Sequence, residues 1–511
     1  MSRRYLFLSL LLLACCAAKE KAVFVPFEPE LEQQVASADA LGRKGSYVAL
    51  KQAVEAYGGL YSRLEFRRTV APKLAKAAIL LAVREKELGM SNKSYLDIAL
   101  RVINENSSLG GLAPYAEIAG LFWVQGKGVM TDIDERFPWK PTEEKLKAID
   151  AELTAKAKVD DFSAYMYATM RGLLALPSES IKEPEEMAAL FPDSLLLAYL
   201  EATCPEEDEE MLNLILASEP TFYEAAYHLG MLSLNRGNLL QAEGYLLKMH
   251  EGIPESAQAT ILLASIAVAL EEVERGLKYY EKTLDIFPNY RDALLGKAIC
   301  LSSLGRSEEA IAVCEKIISL GYWLLGESYY WMAWNQHELK DYAAAEMNIE
   351  QAKGRLPTSA EVFTLAGLIA MDREDLARAE KEFQEALKYA PANSDVLYNL
   401  GSIYARKHDW PNTGLYFEKA GFAFENEGEA LRRKILEAEK STLAPQRKES
   451  LISKRRARLE RALLSRATSF YNAAAGYFNA GQNYKALEMA TRSAEHPAFK
   501  QKAEELASGI K

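Results

Sequence analysis

The sequence predicts an all-α chain: an α-solenoid of helix hairpins stacked in a right-handed superhelix, with a divergent helical N-terminal half. Three observations predict it. Small residues recur at Gly230, Ala264, Ala298, Ala333, Gly367 and Gly401, at intervals of 34, 34, 35, 34 and 34. A second small series runs 12 residues later through Ala242, Gly276, Ala310, Ala345 and Ala379, with Thr413 where a small residue is expected. Turn signals separate the two series at Arg236-Gly237-Asn238, Leu304-Gly305-Arg306, Lys340-Asp341 and Glu374-Asp375, and Pro254, Pro288, Pro357 and Pro391 close four of the units. Antiparallel helices approach within about 8–10 Å, and small side chains permit the near end of that range. Proline ends one helix before the next begins. Each unit alone buries too little, so stacked neighbours supply one continuous core.

Along the chain, residues 1–20 read as a targeting segment. Arg3 and Arg4 form a positive start, and Leu6–Leu13 an apolar core too short to span a bilayer. Leu12-Leu13-Ala14-Cys15 resembles the bacterial lipobox, which implies export, lipidation of Cys15 and an N-terminal membrane anchor, with the mature chain in the periplasm at the outer membrane. Cleavage after Ala18, discarding Cys15 and Cys16, is the other reading. Beyond this segment no stretch is long and apolar enough for a transmembrane helix. Hydrophobic content of 49% and charged content of 26% fit a folded chain rather than a disordered one.

Residues 21–190 keep a helical pattern without the clean period. One degenerate hairpin places Ala38 and Leu41 before a turn at Gly45-Ser46-Tyr47, then Ala49, Leu50 and Val54. Lys73–Leu88 pairs with Tyr95–Ile103, Leu112–Val124 is a further helix, and 126–142 reads as a loop. The region is either a divergent continuation of the array or a separate helical domain. The array proper is assigned to 191–430, beginning with a shortened hairpin bracketed by Pro192 and Pro220. Glu206, Glu207, Asp208, Glu209 and Glu210 sit at a helix start, where carboxylates oppose the macrodipole; no oxygen-ligand spacing for a cation accompanies them.

After Ala420 the period breaks. Gly401 to Ala474 is 73 residues, one repeat plus 39 inserted, and 431–466 is assigned as a charged helical insertion. Its basic cluster, Lys454, Arg455, Arg456, Arg458 and Arg461, reads as a solvated helix face. A net charge of −11 and the export segment speak against nucleic acid as a partner. Residues 467–511 restore a terminal hairpin through Ala474, Tyr477, Gly481 and Ala486, and end in a capping helix. Cys204, Cys300 and Cys314 form no disulfide framework or metal spacing, and the last two fall on core positions of one repeat.

These small, turn and proline positions resemble the tetratricopeptide repeat, whose general pattern is W-x2-L-G-x2-Y, A-x3-F, then P. Ala360–Asn393 and Ser394–Glu427 carry it closely, in Ala366-Gly367, Ala379, Phe383 and Pro391, then Leu400-Gly401, Tyr404 and Phe417. Lys297-Ala298 replaces Leu-Gly, and Tyr322 stands where proline would be. The resemblance implies a protein-binding scaffold whose first helices line a concave groove. It places Tyr227, Met231, Leu295, Ile299, Tyr330, Trp334, His337, Leu368, Met371 and Tyr398 on the inner wall. Tyr322–His337 is the densest part, with Trp323, Trp331 and Trp334. Such aromatic residues dominate binding hot spots, though packing between repeats claims Tyr329 and Trp331, and accounts equally well for Tyr330 and Trp334. The wall carries apolar and aromatic residues where carboxylate-clamping relatives carry Lys and Asn, which suits an extended segment or amphipathic helix of a protein partner.

Catalytic chemistry is sparse. Five isolated histidines, at 228, 250, 337, 408 and 496, form no constellation, and Asp341 replaces the second histidine of a zinc-protease pattern begun by His337-Glu338. The chain is therefore expected to be no enzyme and to hold no metal or cofactor. Two alternatives stay open: an accessory lipoprotein of a transport or secretion system with a small ligand in an apolar cavity within residues 31–190, and an enzyme whose paired carboxylates lie there.

Overall fold

The computed structural model describes residues 29–90, 94–125, 151, 153, 155–174, 183–203, 207–321 and 324–510, and regular structure among them is helical. Residues 1–20 with Cys15, the 126–142 loop, Cys204, Tyr322 and Trp323 lie outside the described residues. Among the described residues no helix is long and apolar enough to cross a membrane. The chain divides into two compact units, the first comprising residues to 85, 92–125 and 133–222, the second 86–91, 126–132 and 223–511.

In the first unit, Pro29–Lys44 and Tyr47–Tyr61 form the degenerate hairpin. Gly45 makes its turn at φ +69°, and an added Cβ there would meet Leu196 at 3.1 Å. Ser46 caps the second helix by accepting from the Ala49 amide. Helices Arg67–Glu87, Ser94–Glu105 and Ala113–Gln125 follow near their expected places. The unit continues through Leu195–Thr203 and Glu209–Ser218, which the sequence boundary at 190 gave to the array. The reason is Arg84. Its guanidinium is fully buried and lies over the rings of Tyr199, Phe222 and Tyr165 at 4.2, 5.4 and 5.5 Å. A desolvated cation on aromatic faces holds those three segments to helix 67–87.

In the second unit, seven hairpins follow in order. The first five pair Tyr223–Asn235 with Leu239–Gly252, Ala257–Ala269 with Val273–Ile286, Arg291–Ser303 with Ser307–Ser319, Leu325–Glu338 with Tyr342–Arg355, and Ala360–Asp372 with Leu376–Tyr389. Both small series are buried throughout. The glycines of the first series each accept a large side chain from the second helix: an added Cβ would meet Leu246 at Gly230, Phe383 at Gly367 and Phe417 at Gly401, all within 2.5–2.9 Å. Thr413 is buried like its small counterparts, its hydroxyl donating to the Asp409 carbonyl. Cys300 and Cys314 are free and buried, and burial pushes their thiols up to about 11 and about 12.

The turns keep the same period as the small series. Gly237, Glu271, Gly305, Lys340, Glu374, His408 and Gly481 all have φ between 58° and 77°. In each case the next amide donates to the carbonyl five residues back, from Asn238 to Ser233 at 2.8 Å through Gln482 to Tyr477 at 2.8 Å. This helix-ending motif needs one left-handed residue, and four of the seven turns hold it without glycine.

The sixth and seventh hairpins depart from the array. Their inner helices, Trp410–Lys440 and Pro445–Asn479, are 31 and 35 residues long where 13 or 14 is the rule. The helical insertion at 431–466 is the outer part of two repeat helices prolonged together. At 1.5 Å per residue, the longer helix exceeds its repeat by roughly 32 Å. Gly414, Gly421 and Gly428 are spaced by seven; an added Cβ at each would meet Tyr477, Phe470, and Leu459 with Leu463, respectively. A heptad of glycines thus receives a heptad of large side chains, the register of a close-packed coiled coil.

Candidate functional site: the inner wall of the repeat array

The ten wall residues divide among the first helices of repeats one, three, four, five and six, and all ten are half-buried. Tyr227 packs against the core of the second repeat, which includes Leu263 and Ile266. Tyr330 and Trp334 pack against Val362, Leu365 and Ile369 of the following first helix. Leu368 and Met371 lean on the core containing Phe383 and Leu400, and Tyr398 on the one containing Phe417. Tyr330 and Trp334 thus pack into the array while part of each side chain remains accessible.

The aromatic knot is tightest in repeat four. Tyr330 and Trp331 have centroids 5.2 Å apart, Trp331 and Trp334 6.3 Å, and Tyr330 and Trp334 6.4 Å. Burial, and secondarily the Glu361 carboxylate, pushes the Tyr330 phenol up to about 12. One helix turn on, His337 Nε2 lies 2.7 Å from Asp372 Oδ2, a polar link between two consecutive first helices. Sequence reasoning missed a second such link: buried Asn335 donates to Ser302 Oγ at 2.6 Å, joining repeats three and four. Its signal was an amide one turn from Trp331 on an otherwise apolar stripe. The second helices are tied by ion pairs instead, Lys353 with Glu382 at 2.6 Å and Arg378 with Glu346 and Glu350.

Of the basic cluster, Lys454, Arg456, Arg458 and Arg461 are exposed, as in a solvated face, and Arg455 is half-buried, yet the cluster also makes contacts within the protein. Lys454 donates to the Glu271 carbonyl at 2.7 Å, Arg455 to the Glu271 carboxylate at 3.2 Å and to the Lys434 carbonyl at 2.6 Å, and Arg456 to Glu439 at 3.1 Å. The hydrophobic stripe of its helix accounts for these contacts: burying Leu451 and half-burying Ile452 brings the neighbouring cations close to the protein.

An open cavity of about 360 Å³ lies within the first unit, its wall including Asp39, Arg43, Tyr57, Lys73, Lys76 and Phe162. Tyr57 and Lys73 both donate to Asp39, and Asp161 accepts from Ser194 at 3.0 Å. Burial would raise Asp160, but hydrogen bonds from Lys76 and Ser163 outweigh it and hold the carboxyl below its usual range. The walls combine ion-paired groups with apolar ones, including Leu50, Leu80, Phe162 and Leu196, and these carboxylates are already engaged. Among the described residues no group of three or more His, Cys, Asp or Glu is placed to hold a metal ion.

A family model described as tetratricopeptide repeat matches residues 227–290, 261–321 and 364–421. Repeat four, whose period is one residue longer, falls outside those ranges although its helices pack as the others do. The chain is similar to Tetratricopeptide repeat protein 8 of Caenorhabditis elegans, 27% identical over 161 residues covering 31% of each chain. It is also similar to Tetratricopeptide repeat protein 6 of Homo sapiens, 26% identical over 202 residues, 32% of this chain and 39% of that one. The matches therefore span 31% and 39% of the length of these curated relatives. Among solved structures, PilW, described as a widely conserved type IV pilus biogenesis factor, is 15% identical with a TM-score of 0.36, over 38% of this chain and 90% of that chain. Period, hairpin geometry and family match agree: this chain carries tetratricopeptide repeats through residues 227–321 and 364–421.

Proposed function

We propose that the chain is a non-catalytic scaffold whose inner wall grips a segment of a partner protein. One observation carries the reading: the Tyr330–Trp331–Trp334 knot is half-buried, anchored in the stack yet presenting aromatic surface on the helix that the repeat family turns inward. Rigid aromatic anchors lose little entropy on binding and commonly carry most of an interface's energy. The flanking wall of Leu295, Ile299, Leu368 and Met371 suits an extended segment or the apolar face of a helix. Tyr330→Ala combined with Trp334→Ala is expected to weaken partner capture roughly tenfold or more, with helicity unchanged. Crosslinking and mass spectrometry of envelope pull-downs check it; equal recovery of the same partners by wild type and the double variant would remove the wall from the interface.

The scaffold is proposed to work at the bacterial envelope, held by lipid on Cys15. The apolar core and the lipobox-like Leu12-Leu13-Ala14-Cys15 support this. Cys15→Ala should abolish fatty-acid labelling and shift the protein from membrane to soluble fractions. Labelling that persists in the variant would end the anchor reading.

A further inference from the structure

In a solenoid each repeat touches its neighbours, and curvature accumulates from small rotations between them. The second unit departs from that rule. The tip of the long hairpin returns to the first two repeats, across 175 to 204 residues of sequence. Arg447 is the centre of the contact. Its Nε and Nη2 donate to Glu272 at 2.6 and 2.9 Å, and its Nη1 and Nη2 to Glu243 at 3.0 Å each. A planar guanidinium bidentate to two carboxylates fixes direction as well as distance. Glu243 is nearly buried, and it also accepts from Arg275.

Charge complements charge around this fork. The array contributes Glu243, Glu271 and Glu272 with Arg275 beside them, whereas the hairpin brings Arg447, Lys454 and Arg455. Glu271 holds the left-handed turn position of its repeat, at φ +61°, and presents both its carbonyl and its carboxylate to the hairpin. The glycine found there in repeats one and three would supply only the carbonyl. Beside the polar contacts, Ala438, Leu443 and Leu451 are buried with Leu240 of repeat one.

We propose that the hairpin is a strap: Arg447 closes the repeat array onto its own first two repeats, and this closure sets the curvature of the groove that a partner meets. Repeats one and seven are then mechanically coupled, and a ligand that competes for Glu243 and Glu272 would let the array open. The strap is independent of which side chains of the wall bind.

Closure can be read directly in the full chain as the distance between spin labels on cysteines placed at the exposed positions Glu449 and Glu274, with Cys15, Cys16 and Cys204 replaced by serine. Wild type should give one short, narrow distribution. Arg447→Glu should give a longer and broader one, with amide exchange at 271–275 accelerated about tenfold or more and helicity retained. Arg447→Lys, which keeps the charge without the fork, should fall between them. A short distance that persists in Arg447→Glu would overturn the proposal, and so would a broad distribution in wild type. If Arg447→Glu loses helicity, Arg447→Lys decides, because a wild-type distribution there removes the fork from the closure.

Discussion

Arg84→Ala is expected to destabilise the first unit by about 3 kcal/mol or more. The side chain is fully buried, its guanidinium is sandwiched by Tyr199, Phe222 and Tyr165, and Nη2 points to the Gly45 carbonyl at 3.5 Å. Truncation leaves a cavity among three rings and removes the cation they face. One effect works the other way, since burying a guanidinium costs several kcal/mol that the variant no longer incurs. Arg84→Met separates the two terms by keeping most of the volume without the charge, and should cost less than about 1.5 kcal/mol. The two units need not unfold together, so a single melting temperature is a poor measure. Amide exchange of 195–203 in increasing urea is the suitable one, because these residues are held to helix 67–87 through Arg84. An Arg84→Ala protein within about 0.5 kcal/mol of wild type would show that the rings do not depend on the cation.

Gly401→Leu is the second large effect, at roughly 1–3 kcal/mol from overpacking. Even the first carbon of the new side chain would meet the Phe417 ring at 2.8, 2.9 and 3.0 Å. That ring has no room to yield: Phe417 is 4% exposed and is held edge-on by Tyr398 at 5.1 Å. The hairpin must open or the ring must leave its rotamer, and either disturbs the base of the strap through helix 410–440. Gly354→Ala provides the opposite sign on an equally helical glycine. Nothing lies within 4 Å of its added Cβ, so the helix gains up to about 1 kcal/mol. Urea denaturation of the two variants tests the pair. A stability for Gly401→Leu equal to wild type would mean the small series does not mark helix contacts.

The small series shows why so much was legible. A buried small residue recurring every 34 residues points to stacked helix hairpins, and Gly230, Ala264, Ala298, Ala333, Gly367 and Gly401 are all buried. Even Thr413, out of pattern by composition, occupies its place by burial. The left-handed turn position was partly hidden: Lys340-Asp341 and Glu374-Asp375 announced it as turn signals, whereas Glu271 and His408 hold it without the glycine that usually marks such geometry. The heptads of the long hairpin were present in the letters too: Gly414, Gly421 and Gly428 on one helix, Leu463, Phe470 and Tyr477 on the other. A 34-residue period masks a seven-residue one, so the hairpin read as an interruption of the array.

The ten wall residues of the first helices are a half-buried stripe in the structure, but the links across it were not legible. Asn335 with Ser302 and His337 with Asp372 join residues 33 and 35 apart, nearly one period, on neighbouring first helices. Arg84 carried no signal at all, since an arginine in a helix of mixed composition looks exposed until three aromatic residues from distant segments surround it.

Residue spacing alone thus determined the helical class, the register of the hairpins and the positions of their turns, because these depend on contacts within a few turns of one helix and its immediate neighbour. Where Arg447 goes was decided only in three dimensions. The rotation accumulated over the intervening stacked repeats brings Glu243 and Glu272 under its guanidinium, and no local spacing records that sum.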